Sequence, residues 1–243
     1  MKDLLFEIKE NTSLTSSVYK MVLKGDTSNI RPGQFVDILL PKRYLRRPIS
    51  VCDVSGDELT LVYKVVGKGT DDMSKMSESE SLQIMTELGN GYDLSLSGEK
   101  PLLIGGGVGV PPLYLLAKKL KEEGKKVNVI LGFNTKEELF YEEEFKALGC
   151  DVTVTTVDGT YGTKGFVTNA LPDNYSYVYT CGPLPMLKAV YNNTPVSGQY
   201  SFEQRMGCGF GACMGCTTKT KNGYKRICKE GPVLYKEETL WED

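Results

Sequence analysis

Residues 101–112 read PLLIGGGVGVPP and join a short apolar run to a glycine-rich loop that ends in two prolines. The run Leu102–Ile104 is typical of a buried strand, and Pro112–Glu123 has the pattern of an amphipathic helix. Glycines let a backbone approach a pyrophosphate closely, and a helix N-terminus supplies positive potential. The spacing differs from GxGxxG, and the prolines occupy the first helical turn, where a missing N–H is tolerated. The loop predicts a nucleotide-phosphate site, with a purely structural strand–helix turn as the alternative. The candidate residues are Gly106, Gly107 and Gly109.

Strands and helices continue to alternate after this loop. The predicted strands are Val127–Leu131, Val152–Val157 and Tyr177–Thr180, and the predicted helices are Lys136–Leu148 and Leu184–Tyr191. Alternation of this kind indicates a parallel sheet with crossover helices. We therefore assign residues 99–197 to an α/β nucleotide-binding domain.

Residues 1–98 have a different pattern, in which short runs of β-branched and aromatic residues are separated by turn signals. The predicted strands are Phe6–Lys9, Val18–Leu23, Phe35–Leu40, Ile49–Val54 and Glu58–Val66. Several short strands at this spacing indicate a small antiparallel barrel. A short helix is predicted over Thr70–Met76, with Thr70 or Asp71 as its N-cap.

Two strand ends in the α/β domain are candidate ligand sites, because ligands in such sheets bind beyond the carboxyl ends of the strands. Cys181, Gly182 and Pro183 follow the fourth strand. Cys181 could touch a nicotinamide there, and a small residue that ends a buried strand is the alternative. No arginine directly follows the second strand to meet a 2′-phosphate, which favours NAD over NADP, although Lys136 is near.

The C-terminal residues 198–243 follow neither period and contain four of the seven cysteines. Cys208, Cys213, Cys216 and Cys228 have the C-x4-C-x2-C…C spacing of plant-type 2Fe-2S sites. Thiolates are the soft, anionic ligands that iron–sulfur clusters prefer. A structural zinc site is the alternative, but zinc modules usually pair two short cysteine hairpins. The spacing therefore predicts a small cluster module.

The composition argues against several functions. The net charge is −2, from 29 basic and 31 acidic residues, which gives no electrostatic case for nucleic acid or an anionic membrane. No apolar run approaches about 18 residues, the length that spans a bilayer, and the N-terminus lacks the apolar region of a signal peptide. We therefore expect a cytoplasmic protein. The chain has no histidine, so a metal site must use cysteine or carboxylate, and no histidine can act as a general base.

Three short motifs in the first domain are candidate flavin contacts. In Arg47-Pro48-Ile49-Ser50, at a strand start, arginine and serine could bind a phosphate or a ring oxygen. In Val62-Tyr63-Lys64, the tyrosine could cover an adenine or flavin ring. Gly69-Thr70 belongs to a glycine-rich turn that leads into the predicted helix and could bind an anion. Each motif is weak alone, and their order before the α/β domain strengthens them.

Taken together, these residues resemble the ferredoxin–NADP reductase superfamily, through the Arg47–Ser50 motif, Gly69-Thr70, the Gly105–Pro112 turn and Cys181–Pro183. Three longer segments are similar to the electron-transfer subunits of class B dihydroorotate dehydrogenases. They are Thr86–Leu94 (TELGNGYDL), Asp158–Gly165 (DGTYGTKG) and Glu203–Cys216 (EQRMGCGFGACMGC). The resemblance covers nearly the whole chain in order.

The resemblance implies that FAD binds the barrel through the three motifs, that the four cysteines hold the cluster, and that NAD is the co-substrate. A separate FMN-containing subunit would oxidise dihydroorotate, and electrons would pass through the cluster and FAD to NAD in pyrimidine biosynthesis. The assembly would be a heterotetramer with two copies of each subunit. No acid, base or nucleophile is expected in this chain, because hydride transfer needs only a nicotinamide held about 3–3.5 Å from the flavin.

Two other functions fit part of the pattern. Related subunits with the same FAD and 2Fe-2S layout serve NAD(P)H-dependent ferredoxin, sulfur-reductase and hydrogenase complexes, and the sequence separates these poorly. A zinc-stabilised nucleotide-binding module is the non-enzymatic alternative. Plant-type reductases end in an aromatic that stacks on the flavin. Here Trp241 lies beyond the cysteine module, so a contact with the partner subunit is an equal expectation.

Overall fold

The computed structural model describes residues 1–241, and its N-terminal region is a closed antiparallel barrel. The six strands are β1 (Lys2–Ser13), β2 (Val18–Lys24), β3 (Phe35–Leu39), β4 (Arg47–Ser55), β5 (Glu58–Lys64) and β6 (Ser81–Leu88). They pair in the order β1-β2-β5-β4-β3-β6. The barrel predicted from the sequence is confirmed, but β6 was not among the predicted strands. This strand closes the barrel by pairing with both β1 and β3.

Helix α1 (Lys68–Ser74) lies between β5 and β6 and begins earlier than the sequence predicts. Its N-cap is Gly67, so the prediction of Thr70 or Asp71 is wrong. Thr70 stands at the third helical position, where its Oγ1 accepts the backbone N–H of Val66 at 2.9 Å and that of Gly67 at 3.3 Å. Its hydroxyl therefore satisfies the open end of the helix from inside the first turn.

The rest of the chain is built on a seven-stranded sheet, which confirms the predicted parallel α/β architecture. Its strands are β7 (Pro101–Gly106), β8 (Asn128–Phe133), β9 (Asp151–Thr156), β10 (Thr163–Lys164), β11 (Tyr177–Cys181), β12 (Gly198–Ser201) and β15 (Val233–Tyr235). Between β12 and β15 the chain forms a separate hairpin of β13 (Thr217–Thr220) and β14 (Gly223–Arg226). The sheet order is β10-β9-β8-β7-β11-β12-β15, and β15 alone among these strands runs antiparallel to its neighbour. The helices are α2 (Tyr114–Glu122), α3 (Glu142–Ala147) and α4 (Leu184–Asn193).

Two predicted helices are shorter than expected. Helix α2 begins at Tyr114 because Pro111–Leu113 forms a separate 3₁₀ turn. The predicted helix over residues 136–148 divides into the 3₁₀ turn Lys136–Glu138 and α3. Tyr141, between them, has a φ of +68°, and a residue in this left-handed conformation cannot continue a right-handed helix.

The large sheet continues beyond residue 198. Strand β12 pairs in parallel with β11, and β15 adds to the outer side of β12. The predicted domain boundary before residue 198 stays a prediction, but the segment after it supplies two strands to the nucleotide-binding sheet. The cysteine segment is therefore attached to that sheet at both of its ends, through β12 before it and β15 after it.

Helix α2 lies between the barrel and the sheet. Leu115 packs in the barrel core together with Phe6, Met21 and Ile38, whereas Leu116 packs on the sheet side of the helix. The two halves of the molecule thus share one buried helix. No helix in residues 1–241 is long and apolar enough to cross a membrane.

Candidate functional site

The glycine loop and the end of β11 are in direct backbone contact. Strands β7 and β11 are parallel neighbours, with Gly105 opposite Cys181. A Cβ atom on Gly109 would overlap the carbonyl oxygen of Cys181 and would lie 2.6 Å from the Cα of Gly182. The structure therefore brings together two predicted motifs that are far apart in the sequence. Only a glycine at position 109 allows this approach.

Met186 is a site residue that the sequence reasoning did not select. A Cβ on Gly106 would lie 2.5 Å from its Sδ, and a Cβ on Gly182 would lie 2.6 Å from its Cε. The side chain therefore extends from the first turns of α4 across both glycines. Its signal in the sequence is its place three residues after Pro183, in the turn that starts α4. A flexible thioether here can adapt to a ring that lies against the two strand ends.

Cys181 is an unreactive thiol. Burial raises the pKa of Cys181 to about 12, although a hydrogen bond with Ser201 opposes this effect. The thiol therefore stays protonated at neutral pH and is a poor nucleophile. Whether any residue of the chain is catalytic stays a prediction.

A carboxylate and an ammonium group both follow the carboxyl end of β8, in the 3₁₀ turn Lys136–Glu138. One carboxylate oxygen of Glu138 accepts the side-chain amide of Asn134 at 2.9 Å and its backbone N–H at 3.2 Å. The ammonium group of Lys136 lies 5.9 Å from the centre of the Tyr161 ring, which is a cation–π contact. In sheets of this kind, an acidic residue near this strand end suits the 2′-hydroxyl of an adenosine ribose.

The Arg47 and Gly69 motifs meet at one edge of the barrel. A Cβ on Gly69 would overlap Nε of Arg47 and lie 2.6 Å from its Cζ, so the guanidinium group covers this glycine. The same group donates hydrogen bonds to the carbonyl oxygens of Leu45 and Arg46. Pro48, Ile49 and Ser50 follow along β4, whose beginning pairs with β3. A side chain at position 69 would displace the Arg47 guanidinium group, which is a suitable donor for an anionic group of a cofactor.

Tyr63 has a different role from the one the sequence suggested. Its side chain is 2% exposed and packs in the barrel core. The hydroxyl donates to Oδ1 of Asn11 at 2.9 Å, and the ring stacks on Tyr19 with centroids 5.9 Å apart. The expectation that its ring covers a cofactor is therefore wrong, because the ring is already covered. A backbone contact from Val62, Tyr63 or Lys64 stays a prediction.

The four predicted ligand cysteines are all present in the described chain and stand in two pairs. Sγ of Cys216 lies 3.2 Å from Sγ of Cys228, and the thiols of Cys208 and Cys213 also interact with each other. The N–H groups of Ala212 and Cys213 point at Sγ of Cys208, at 3.2 and 3.4 Å. Two cysteines for each of two iron atoms is the ligand arrangement of a 2Fe-2S cluster, and backbone N–H groups on the sulfurs tune such clusters.

The chemistry of these thiols suits a cationic cluster. Burial acts to raise the pKa of Cys208, but the N–H groups of Cys213, Phe210 and Ala212 outweigh it and lower the pKa to about 6. Burial beside Cys216 raises the pKa of Cys228 to about 12. Cys208 therefore offers a thiolate at neutral pH, and iron would displace the proton of Cys228. Within residues 1–241, no three such side chains converge closely enough to hold a single metal ion.

The cysteine loop, residues 207–216, contacts the barrel at a buried aspartate that was not among the residues selected from the sequence. A Cβ on Gly209 (φ +74°) would overlap a carboxylate oxygen of Asp37 on β3. Burial raises the pKa of Asp37 to about 6, and nearby Arg46 and Arg47 oppose this rise. Its Oδ1 has no hydrogen-bond partner among the residues that the structure describes. An isolated aspartate between hydrophobic strand residues gives no local sign of such a contact.

One side of the cysteine loop faces solvent and the other is buried. Cys213, Phe210 and Met214 are exposed, whereas Cys216 and Cys228 are buried. Arg226 steadies the loop by donating to the carbonyl oxygen of Gly211 at 2.6 Å. This asymmetry leaves an approach to the cluster from one side only.

Trp241 packs inside the molecule. Its ring lies 5.6 Å from the ring of Phe202 and 6.0 Å from that of Tyr191. This contact anchors the end of the described chain on β12 and α4. Within the described residues, the ring contacts of Trp241 are thus with two aromatic side chains of the nucleotide-binding half.

An antiparallel barrel, a parallel nucleotide-binding sheet and a four-cysteine loop, in this order, define an iron–sulfur flavoprotein of the ferredoxin–NADP reductase class. The profile of the iron–sulfur cluster binding domain of dihydroorotate dehydrogenase B matches residues 203–240, and that of the oxidoreductase NAD-binding domain matches residues 103–192. The chain belongs to the family of dihydroorotate dehydrogenase B (NAD(+)) electron transfer subunits. It is thus an electron-transfer subunit of an NAD-dependent oxidoreductase that uses FAD and an iron–sulfur cluster.

Two relatives carry this assignment. The chain is 43% identical to the dihydroorotate dehydrogenase B (NAD(+)) electron transfer subunit of Bacillus pumilus, over 98% of each chain. It is 45% identical to the subunit of the same name from Fusobacterium nucleatum, over 93% of this chain and 94% of that one.

Solved structures show the same architecture. The NADH-dependent reduced ferredoxin-NADP oxidoreductase, studied for flavin-based electron bifurcation, is 31% identical, with a TM-score of 0.89 over 98% of this chain and 90% of that one. A ferredoxin NADP+ reductase from Neisseria gonorrhoeae with bound FAD and NADP is 16% identical, with a TM-score of 0.68 over 79% of this chain and 90% of that one. The second likeness concerns the fold alone.

Proposed function

We propose that this chain carries electrons to NAD from a separate, FMN-containing subunit. That subunit oxidises dihydroorotate in pyrimidine biosynthesis. The observation that supports this most is the contact between the cysteine loop and the barrel. Gly209 of the loop meets Asp37 of β3, and β3 pairs with the β4 residues around Arg47. The cysteine loop and the flavin edge, which is the barrel edge formed by Arg47 and Gly69, therefore both lie next to strand β3.

Each region has a distinct task in this proposal. When bound, the cluster accepts single electrons and FAD supplies the hydride that NAD takes up. Arg47 and the Gly69-Thr70 turn hold the anionic part of FAD, and Ser50 and Ile49 lie along the same strand. The four cysteines hold the cluster as thiolates, with N–H groups aimed at Cys208. The glycine loop, Cys181, Gly182 and Pro183 position NAD.

The reaction needs orientation rather than acid–base catalysis by this chain. The sequence has no histidine, and the Cys181 thiol stays neutral. Gly106, Gly107 and Gly109 let the backbone approach the nucleotide, while the side chain of Met186 lies against the ends of β7 and β11. Excluding water and fixing the two reacting rings are the contributions that such a site can make.

NAD is preferred to NADP in this proposal. Glu138 lies at the end of β8, and Lys136 is directed at Tyr161. A carboxylate at this place accepts a ribose hydroxyl and repels a 2′-phosphate.

The catalytic partner docks on the exposed side of the cysteine loop, around Phe210, Cys213 and Met214. Two copies of each subunit form a heterotetramer.

The protein is located in the cytoplasm in this proposal, because all seven cysteines in the described chain are free thiols, and four of them must stay reduced to bind iron.

The test is an anaerobic absorption titration of the complex purified from its own host, with dihydroorotate added in the absence of NAD. Bleaching of both the flavin and the iron–sulfur bands is expected. Bleaching by NADH but not by dihydroorotate would leave electron transfer in place and would reject this partner. Absence of flavin and iron–sulfur absorption, after loss during purification is excluded, would reject the whole proposal.

A second candidate is a subunit of an NADH-dependent ferredoxin–NADP oxidoreductase. The 31% identity and the TM-score of 0.89 with that structure favour it. In this case reduced ferredoxin, rather than dihydroorotate, would bleach the cluster in the same titration.

A further inference from the structure

Helix α2 presents one face to the barrel. Leu115 packs in the barrel core. Lys118 follows it by three residues, so it projects from the same face of the helix. The side chain of Lys118 therefore points across the boundary between the two halves of the molecule.

Lys118 makes three hydrogen bonds to β4. Its ammonium group donates to the two carboxylate oxygens of Asp53 at 3.0 and 3.1 Å, and to the carbonyl oxygen of Val54 at 3.1 Å. The side chains of Lys118 and Asp53 are only 26% and 18% exposed. All three N–H donors of the ammonium group are used, in a partly buried place where an ion pair is screened less than at the surface.

A second polar contact joins the same strand to the sheet domain. The thiol of Cys52, next to Asp53, interacts with the hydroxyl of Tyr141, and both residues are buried. Tyr141 has a φ of +68°, a conformation that a bulky residue adopts only when its surroundings hold it. Two neighbouring residues of β4 are thus fixed to the nucleotide-binding half.

Both ends of this connection lead to cofactor residues. Asp53 follows Ser50 by three residues on β4, which is about 10 Å of strand. Lys118 stands on α2, which the 3₁₀ turn Pro111–Leu113 joins to the glycine loop of residues 105–110. The Lys118–Asp53 pair therefore joins the strand of the flavin motif to the helix of the nucleotide loop.

We propose that the Lys118–Asp53 pair positions the nucleotide loop against the flavin strand and thereby sets the geometry of hydride transfer. This inference rests on the proposed flavin and nucleotide sites and not on the identity of the partner subunit. Hydride transfer needs the reacting atoms about 3–3.5 Å apart, and a displacement of about 1 Å can lower a rate about 100-fold. The bonds of Lys118 go to Asp53 and Val54 and to none of the predicted flavin or nucleotide residues, so the pair is assigned a positioning role.

The experiment compares Lys118→Met with Lys119→Met in the complete complex. Lys119 is the matched control, because it lies on the same helix and pairs with Glu122 of that helix at 2.8 Å. The rate constant for flavin reduction by NADH is measured by anaerobic stopped flow at saturating NADH. Lys118→Met should lower it about tenfold, and Lys119→Met should leave it unchanged.

Three further measurements separate positioning from a loss of structure. FAD content and the affinity for ADP-ribose should stay within about twofold of wild type, because neither site loses a contact. Amide hydrogen exchange should rise at residues 51–55 and 114–118, where the two halves meet. Lys118→Arg, which keeps the charge, should restore most of the rate. The double variant Lys118→Met/Asp53→Asn should be no slower than the slower single variant, because the two residues act as one unit.

An unchanged rate in Lys118→Met would overturn the inference. So would a rate that falls together with FAD content or ADP-ribose affinity, since the pair would then only stabilise the fold. NADH is the reductant throughout, so these outcomes do not depend on dihydroorotate. A wild-type flavin that NADH fails to reduce would instead reject the proposed function.

Discussion

The glycine loop of residues 105–110 and the cysteine loop of residues 207–216 are both rich in glycine, but they are built in opposite ways. Strand β7 precedes the first loop and α2 follows it, and the backbone of Gly109 rests on Cys181. The second loop is followed by the short hairpin β13–β14. It is held in place by side chains, which include Asp37 against Gly209 and Arg226 on the carbonyl oxygen of Gly211. A site made of backbone is fixed by folding, whereas a site made of thiolates is completed by its metal.

The largest effect that this comparison predicts is loss of the cluster in Cys213→Ser. A serine hydroxyl is a poor substitute for a soft thiolate ligand, so iron content and the iron–sulfur absorption should fall to near zero. FAD should still be reduced by NADH, because the predicted FAD and NAD residues lie on the barrel and the large sheet, and the Cys213 side chain is exposed on the other side of the cysteine loop. Cys150→Ser is the control and should keep its iron. Normal electron transfer from substrate to NAD in Cys213→Ser would remove the cluster from the pathway.

An effect of intermediate size is expected at the flavin edge, where Arg47 is the charged side chain proposed to bind FAD. Arg47→Ala should weaken FAD binding about 10- to 100-fold, because a hydrogen bond to a charged group contributes about 1.5–3 kcal/mol. Affinity is measured by flavin fluorescence after reversible removal of FAD. Arg43→Ala is the control, because Arg43 pairs with Asp72 at 2.6 Å. Equal FAD affinity in the wild type and Arg47→Ala would take Arg47 out of the site.

The glycine loop should respond to a single added methyl group. In Gly109→Ala the Cβ would overlap backbone atoms of Cys181, so we expect a loss of about 1–3 kcal/mol in stability and about tenfold weaker binding of NAD. Gly107→Ala meets no atom within 4 Å but has a φ of +52°, so it should lose only about 1 kcal/mol. Calorimetry of unfolding and of NAD binding tests both variants. Equal losses in the two would mean that backbone contact at position 109 is unimportant.

The smallest effect is expected at the end of β8. Glu138→Arg should raise the ratio of kcat/KM for NADPH to that for NADH about fivefold, since a partly exposed charge contact contributes up to ~1 kcal/mol. Glu137→Arg is the control, because Glu137 points to Thr135 instead. Steady-state reduction of a dye by each nucleotide gives the ratio. If both variants change the ratio equally, general charge is responsible and Glu138 has no specific role.

Interpretation of the sequence succeeded where the signal was local. The alternation of strands and helices identified the parallel sheet. The spacing of the four cysteines indicated the iron–sulfur domain that the family profile also matches, and their individual roles as ligands stay a prediction. It failed where distant segments decide the outcome. Tyr63 looked like a ligand-facing aromatic, but pairing of β5 in a closed barrel turns it toward Asn11 and Tyr19. Strand β6 was missed although its residues alternate between buried and more exposed positions, which is a strand pattern; its pairing with β1 and β3 fixes its place in the barrel.

The sequence by itself determined the order of the three regions, the chemistry of the cysteine ligands and the glycine character of the nucleotide loop. These follow from residue type and short spacing, which folding does not change. The tertiary structure alone decided that Gly109 meets Cys181, that Asp37 meets the cysteine loop and that Lys118 reaches Asp53. Each of these contacts joins residues from distant parts of the chain, and their distance depends on how the barrel, the sheet and α2 pack together.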